Sequence, residues 1–285
     1  MDKASNGSGE TDAGVSSAGA LTEAASEKRL LTLVEAEIIP RLMLAHRDPR
    51  IAAQEHTAVR PDEVVDFSRA LMAQKISDAT DLIAQLCERG VRMESIYLQL
   101  LAPAARYLGE LWEADQCNFS EVTLCLWRMQ TRMYDLSAAF HEGDGRAATR
   151  SGAERRILMA SLPGQQHTFG LSMLSEFFRK DGWVVLAIPS PQSGEVLDTL
   201  SVHWFDVLAL SASMDGEVKD LTKTIKAARK TSRNPRLAIM VGGPLFLRQP
   251  ALAGTVGADG MSEDAPAALA LASHLYQQQQ EVRLN

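Results

Sequence analysis

Met159-Ala-Ser-Leu-Pro-Gly-Gln-Gln-His-Thr-Phe-Gly170 is the stretch that decides the fold of the second half of this chain. Its upstream neighbours complete the apolar run Arg155-Arg-Ile-Leu-Met-Ala-Ser-Leu162, which reads as a buried strand. Pro163-Gly164 then makes a tight turn, and a helix opens near His167. A strand end, a short turn and a helix start are the parts from which open α/β sheets build their ligand sites. One imidazole, that of His167, leaves this loop, and Gly170 follows three residues later. A glycine there allows a flat, bulky group to come close to the backbone.

Downstream the same alternation repeats. Phe169 to Lys180 is helical, Trp183-Val-Val-Leu-Ala-Ile188 is a strand, and Gly194 to His203 is a helix. Asp206-Val-Leu-Ala-Leu-Ser211 and Leu237-Ala-Ile-Met-Val241 are further strands, flanking a helix from Val218 to Lys230. A short Gly257-Ala-Asp-Gly-Met261 segment and a last helix, Ala265 to Gln278, close the chain. Continuous apolar strands alternating with helices predict a parallel sheet covered on both faces. The expected fold of residues 153–285 is a flavodoxin-like, doubly wound, five-stranded parallel sheet.

Upstream the periodicity changes. Residues 141–152 are rich in Gly, Asp and Arg and interrupt both patterns, which makes them a linker. Residues 27–140 are helical throughout. Leu30, Leu31, Val34, Ile38 and Leu42 recur at helix spacing, with Pro40 kinking or ending that helix. Pro61-Asp-Glu opens the next helix with proline and two acids in its first turn. Val64, Phe67, Leu71, Ile76, Leu82, Ile83 and Leu86 supply its apolar positions in one or two segments, up to a C-cap at Gly90. Met93 to Trp112 and Phe119 to Phe140 make two more helices, so an all-α N-terminal part, a four- or five-helix bundle, precedes the α/β part. Residues 1–26, rich in Gly, Ser, Ala and acids, bury too little apolar area to order themselves and read as a disordered tail.

The totals narrow the classes further. A chain of 285 residues holds two ordinary cores, and a formal charge of −7 speaks against a nucleic-acid surface spread over the whole molecule. Lys226, Arg229 and Lys230, between Lys223 and Arg233, read as a solvated helix face. No apolar run reaches a membrane span, and Met1-Asp-Lys-Ala-Ser-Asn-Gly lacks the order of a signal peptide, so a cytoplasmic protein with no membrane partner is expected. Cys87, Cys117 and Cys125 form neither a disulfide framework nor a zinc pattern.

Three loops carry candidate chemistry. His167 stands at the carboxyl end of the first strand, and imidazole is a common transition-metal ligand. Ser211-Ala212-Ser213 leaves the third strand at the same edge, where its hydroxyls can bond a ligand or cap a helix. Val241-Gly-Gly-Pro244 leaves the fourth, where paired glycines serve a tight turn or a close backbone approach.

Together these residues resemble the cobalamin-binding modules. Such modules place a helix bundle before a flavodoxin-like domain and carry acidic-x-His-x-x-Gly, Ser-x-Leu and Gly-Gly motifs. The matching positions here are Gln165-x-His167-x-x-Gly170, Ser211-Ala212-Ser213 and Gly242-Gly243, while Leu108-Gly-Glu-Leu-Trp112-Glu-Ala resembles the stretch whose tryptophan covers the upper corrin face. The resemblance spans about residues 28 to 278. It implies that His167 ligates cobalt from below, in place of the dimethylbenzimidazole base. It also implies that the nucleotide tail runs past Gly170, Ser211 and Gly242-Gly243, and that Trp112 lies beside the upper ligand.

The departures are informative. Gln165 stands where methyl-transferring relatives have an acid bonded to the ligating imidazole, which disfavours proton-coupled cycling and a methyltransferase carrier. Ser213 replaces the leucine of Ser-x-Leu, which makes the tail pocket more polar. Where light-sensing relatives carry Glu-Glu-His, this chain has Glu121-Val122-Thr123. With Asn118-Phe-Ser-Glu-Val-Thr-Leu-Cys-Leu-Trp127-Arg-Met-Gln130, these features resemble the AerR/PpaA family of photosynthetic proteobacteria. That resemblance implies a cobalamin-dependent antirepressor, not an enzyme, with no DNA-binding helix-turn-helix domain and a CrtJ/PpsR-type repressor as partner. No direct sequence-specific DNA binding is expected of it. The cofactor form it implies is adenosylcobalamin in the dark, with water, hydroxide or a histidine (His46, His56 or His141) taking the upper position after light. Haem on the same fold, a corrinoid carrier of a methyltransferase, and an interaction domain without cofactor are the alternatives.

Overall fold

The computed structural model describes residues 58–142, 154–165 and 168–284. The expected tail, the first helix around Leu30 to Leu42, the linker core, His46, His56 and the ligand candidate His167 lie outside the described residues.

Four helices make up the described bundle. Helix α1 (Pro61–Met72) begins with Pro61 at its first position, with Asp62 and Glu63 in the first turn. Glu63 accepts hydrogen bonds from the Arg60 amide and from Arg89, so one carboxylate closes both ends of the first helical pair. Helix α2 (Ile76–Glu88) follows after Gln74, which turns the chain with a φ of 61°, and Gly90 ends it at φ 82°. The two segments left open by the sequence are therefore two helices. Helix α3 starts at Met93–Ser95, passes through a π-helical stretch, Ile96–Leu101, and continues as Ala102–Glu113. Pro103 accounts for the widened turn, because it offers no N–H to the preceding turn of carbonyls. Helix α4 (Phe119–Glu142) is opened by a reciprocal cap in which Asn118 and Glu121 each bond the other's backbone amide.

The bundle core is built around Tyr97, in the π-helical stretch. Its ring stacks on Phe140 with centroids 4.2 Å apart, and Phe177 meets it edge-on at 6.0 Å. Its hydroxyl donates to the Met133 carbonyl at 2.9 Å. Phe67, Leu71, Leu100, Leu108, Met129 and Met133 close around it, each fully buried. Burying one such side chain stabilises by roughly 1.5–3 kcal/mol.

Five parallel strands follow in the order β2-β1-β3-β4-β5: β1 Arg156–Ser161, β2 Val184–Ile188, β3 Val207–Ser211, β4 Ala238–Gly242 and β5 Gly260–Met261. The crossover helices are α5 (Phe169–Lys180), α6 (Glu195–Val202) and α7 (Val218–Thr231), short α8 (Pro244–Arg248) and α9 (Leu252–Val256) join β4 to β5, and α10 (Ala265–Leu284) follows β5. The expected doubly wound sheet is thus present. One expectation is corrected: β2 is the sheet edge and not a strand covered on both faces, and Val184 and Leu186 are about 40% exposed. Apolar sequence alone does not distinguish an edge strand from a central one.

The chain leaves β1 toward β2 on one side and returns to β3 on the other. The reversal opens a crevice beyond the carboxyl ends of β1 and β3, where open parallel sheets place their ligands.

Candidate functional site

The carboxyl edge is laid out by strand register. Ser161 pairs with Ser211, and Ser211 with Gly242, so three small residues end β1, β3 and β4 in a row. Beyond them the loops lace together. The Ala212 amide donates to Gly242 O at 3.1 Å, and the Leu245 amide donates to Ala212 O at 3.2 Å. Gly243 sits at φ +97°, and a Cβ there would meet Ala212 O at 2.6 Å and Ser211 Oγ at 2.8 Å. Only glycine fits that place. Gly242 is less constrained, with Ser262 O 3.4 Å from an added Cβ. Gly170, in the first turn of α5, is exposed, and an added Cβ meets nothing within 4 Å. Its side of the helix is open ground, as close approach by a large group requires.

Gln165 holds the end of the β1 loop. It is only 8% exposed, and its Nε2 donates to Glu217 Oε1. The other oxygen of Glu217 accepts the Ser213 amide at 2.9 Å. The Ser213 carbonyl in turn accepts from Arg248 Nη2 at 2.8 Å. Gln165 Oε1 is buried and has no hydrogen-bond partner among the described residues. Ser213 acts here through its backbone, and neither serine of the motif caps a helix through its hydroxyl. The carboxylate missing at position 165 is supplied from another loop, by Glu217. Sequence reading passed over Glu217, because nothing in its spacing links it to a residue 52 positions earlier.

The bundle supplies the opposite wall. Along α4, Gln130 Nε2 donates to Ser172 Oγ at 3.3 Å and Ser137 Oγ donates to Glu176, so α4 and α5 run in the same direction. The amino-terminal third of α4 therefore extends past the start of α5, toward the carboxyl edge. That third carries Phe119, and Trp112 at the end of α3 meets it edge-on at 6.5 Å. Both rings are about half exposed, and Trp127, eight residues along α4, is 63% exposed. Trp112 and Phe119 together leave adjacent apolar rings in water, the kind of surface that meets a ligand or a partner.

Two further candidates are placed. His141 packs at the far end of α4, 3.3 Å from Glu176, which also accepts from Ser137 and Arg179. Glu176 lies two turns down α5 from its start, so His141 belongs to the joint between bundle and sheet and not to the carboxyl edge. Glu121 is committed to the α4 cap. Arg229, read as a solvated face, instead ties α7 to Leu237 O, Gly257 O and Asp259. A cleft of about 470 Å³ beside it, lined by Arg236, Asp259, Gln278 and Gln279 among others, is at the amino edge of the sheet, away from these loops.

These features fit a flat macrocycle with a long tail. The sequence offers one imidazole in the β1 loop, three strand ends carry serine or glycine, and the end of the bundle beyond the start of α5 carries half-exposed aromatic rings. Comparison with known proteins agrees. A B12 binding domain matches residues 155–270, and a second B12 binding domain model matches residues 65–136. The chain carries a cobalamin-binding module in two parts, a helix bundle and a flavodoxin-like domain. A 20.5 kDa protein in the bchF-crtJ intergenic region of Rhodobacter capsulatus is 23% identical over 177 residues, covering 61% of this chain and 88% of that protein. The monomethylamine corrinoid protein of Methanosarcina barkeri superposes with a TM-score of 0.56 at 17% identity, over 80% of this chain and 99% of its own, and shares the fold. No helix among the described residues is long and apolar enough to cross a membrane.

Proposed function

We propose that this cobalamin-binding protein is a light-responsive transcriptional regulator, and not an enzyme, acting as an antirepressor on a CrtJ/PpsR-type repressor in the cytoplasm. The observation that carries the reading is the half-exposed Trp112–Phe119 pair, on the part of the bundle that extends toward the carboxyl edge. The neighbourhood named for the Rhodobacter relative, the bchF-crtJ region, supports the link to photosynthesis-gene control.

His167 would hold the cobalt, while Ser211, Gly170 and the backbone of Gly242 and Gly243 would line the path of the tail. When bound, adenosylcobalamin supplies a carbon–cobalt bond that visible light breaks. Trp112 and Phe119 would cover the bound cofactor and exclude water from it. A change in what these two rings cover would let them repack, and the outer face of α4 with Trp127 would change shape with them. A difference of about 1–3 kcal/mol between the two arrangements is enough to switch a partner. Aquo- or hydroxocobalamin is the form expected after light. Haem is the alternative occupant, and its spectrum distinguishes it at once.

The experiment is a pull-down of a CrtJ/PpsR-type repressor by the adenosylcobalamin-loaded protein, in the dark and after blue-green light. Repressor capture that differs between the two conditions, and no longer differs in His167→Ala, supports the proposal. Equal capture in dark and light contradicts it.

A further inference from the structure

We infer that Glu217 is a positioning residue that fixes Gln165 with its amide oxygen turned away from Glu217, as a ready acceptor for an N–H donor at the cobalamin site. The identity of that donor rests on the cobalamin reading above.

The orientation of the Gln165 amide follows from chemistry. An ionised carboxylate accepts hydrogen bonds and offers none, so the end of Gln165 that faces Glu217 Oε1 has to be the NH2. The Ser213 amide holds Glu217 Oε2 in place, which leaves Glu217 a single way to meet Gln165. Gln165 Oε1 is then the end turned away from Glu217, and it is buried with no partner among the described residues. An unpaired buried acceptor costs roughly 1–3 kcal/mol, and a donor brought to this loop by a ligand, or by the residue that holds the ligand, would remove that cost.

Two donors have the right chemistry. One is the ring N–H of His167, next but one in sequence. The other is an amide N–H of the corrinoid. An imidazole that ligates a metal through one nitrogen has its other N–H free to donate, and the acceptor of that bond sets its tautomer and orientation. A glutamine clamped by a distant glutamate supplies an acceptor of fixed polarity without placing a charge beside the ring. The construction uses Glu217, outside every motif named above, to give Gln165 a direction that a free amide lacks.

The test uses full-length protein and two readouts. The first needs no cofactor: the side-chain amide protons of Gln165, observed by 15N–1H NMR in the apo protein. They exchange slowly with solvent in wild type and rapidly in Glu217→Gln, because an amide at 217 can face either end of Gln165. The second is affinity for hydroxocobalamin, with the absorption spectrum reporting imidazole on cobalt. Glu217→Gln, which keeps size and removes the one-sided acceptor, is expected to lower affinity about tenfold or more, as loss of partners behind a metal ligand does.

Gln165→Glu alone sets two carboxylates face to face and is expected to bind worse still. The double exchange, Gln165→Glu with Glu217→Gln, restores an acceptor at 165 facing a donor at 217 and is expected to recover most of the affinity. A purely structural role for Glu217 would not show that recovery. In His167→Ala at hydroxocobalamin concentrations where the absorption spectrum shows the corrinoid bound, a Gln165 amide signal that still responds assigns the donor to the corrinoid, and one that no longer responds assigns it to the imidazole. Wild-type affinity in Glu217→Gln, no recovery in the double exchange, or rapid exchange of the Gln165 amide in the wild-type apo protein each overturns the inference. If wild type binds no hydroxocobalamin, the cobalamin reading fails, while the amide exchange still decides the tie between Glu217 and Gln165.

Discussion

Two glutamates stand near the two ends of α5, and their surroundings differ in one respect. Glu176, toward the carboxyl end of the helix, is 3% exposed, and both its oxygens accept a hydrogen bond: Ser137 and Arg179 donate to it, and His141 Nε2 lies 3.3 Å away, two of the three coming from α4. Glu217, beyond the amino end, also serves two loops, but its network ends at Gln165 Oε1, which has no partner among the described residues. The first network is a joint between two layers of the fold, and the second, at the sheet edge with an acceptor left over, is the receptor of the proposal above.

The comparison is open to direct perturbation. The largest loss of stability is expected on the receptor side from Gly243→Ala, because the new Cβ meets Ala212 O at 2.6 Å on a backbone at φ +97°. Unfolding free energy should fall by about 2–4 kcal/mol in denaturant titrations, and cobalamin binding should be lost with it. Next is the joint. Glu176→Ala strands Ser137, His141 and Arg179 and is expected to cost about 2 kcal/mol by the same titration. Its cobalamin affinity in the folded state should change far less than that of Glu217→Gln, whose stability should stay near wild type. A reversal of that pattern would erase the distinction between joint and receptor.

Smaller effects sharpen it. Tyr97→Phe removes a single buried hydrogen bond to Met133 O and should cost about 1 kcal/mol. Burial, with the Glu176 carboxylate nearby, pushes the Tyr97 phenol above its usual range, so no pH effect from it is expected near neutrality. Glu94 gives the weakest effect. Burial would raise its carboxyl, but the hydrogen bond and charge of Lys180 outweigh burial and hold it below 4.5. Its contribution is therefore complete above the unfolded pKa and fades as pH falls through the lowered folded one. Lys180→Met should flatten the acid limb of the stability curve, measured by thermal melts across that range.

Much of this molecule was legible in the sequence because burial imposes period. The strand-turn-helix around Leu162 to Phe169, Pro61 at a helix start and Gly90 at a helix end follow from local rules, and the structure agrees at each. The edge position of β2 was not legible, since Val184 and Leu186 are as apolar as any central strand. Nor were α8 and α9, five residues each, too short to show a period. At the site, the need for glycine at 243 is a local signal that sequence reading caught. Glu217 is not, because its partner is a loop brought near only when β1 and β3 pair. His141 looked available in the sequence and is engaged by Glu176 in the structure, again through a contact that only the packing of α4 on α5 creates.

The most direct measurement is an absorption spectrum of the apo protein mixed with adenosylcobalamin in the dark, freed of unbound cofactor, then illuminated with blue-green light. It should be run on wild type and His167→Ala. Corrinoid that stays with the wild type, shifts irreversibly with light and is weakly retained by the variant is the predicted result. Protein that carries no corrinoid through the separation, or a variant that retains it as wild type does, contradicts the account.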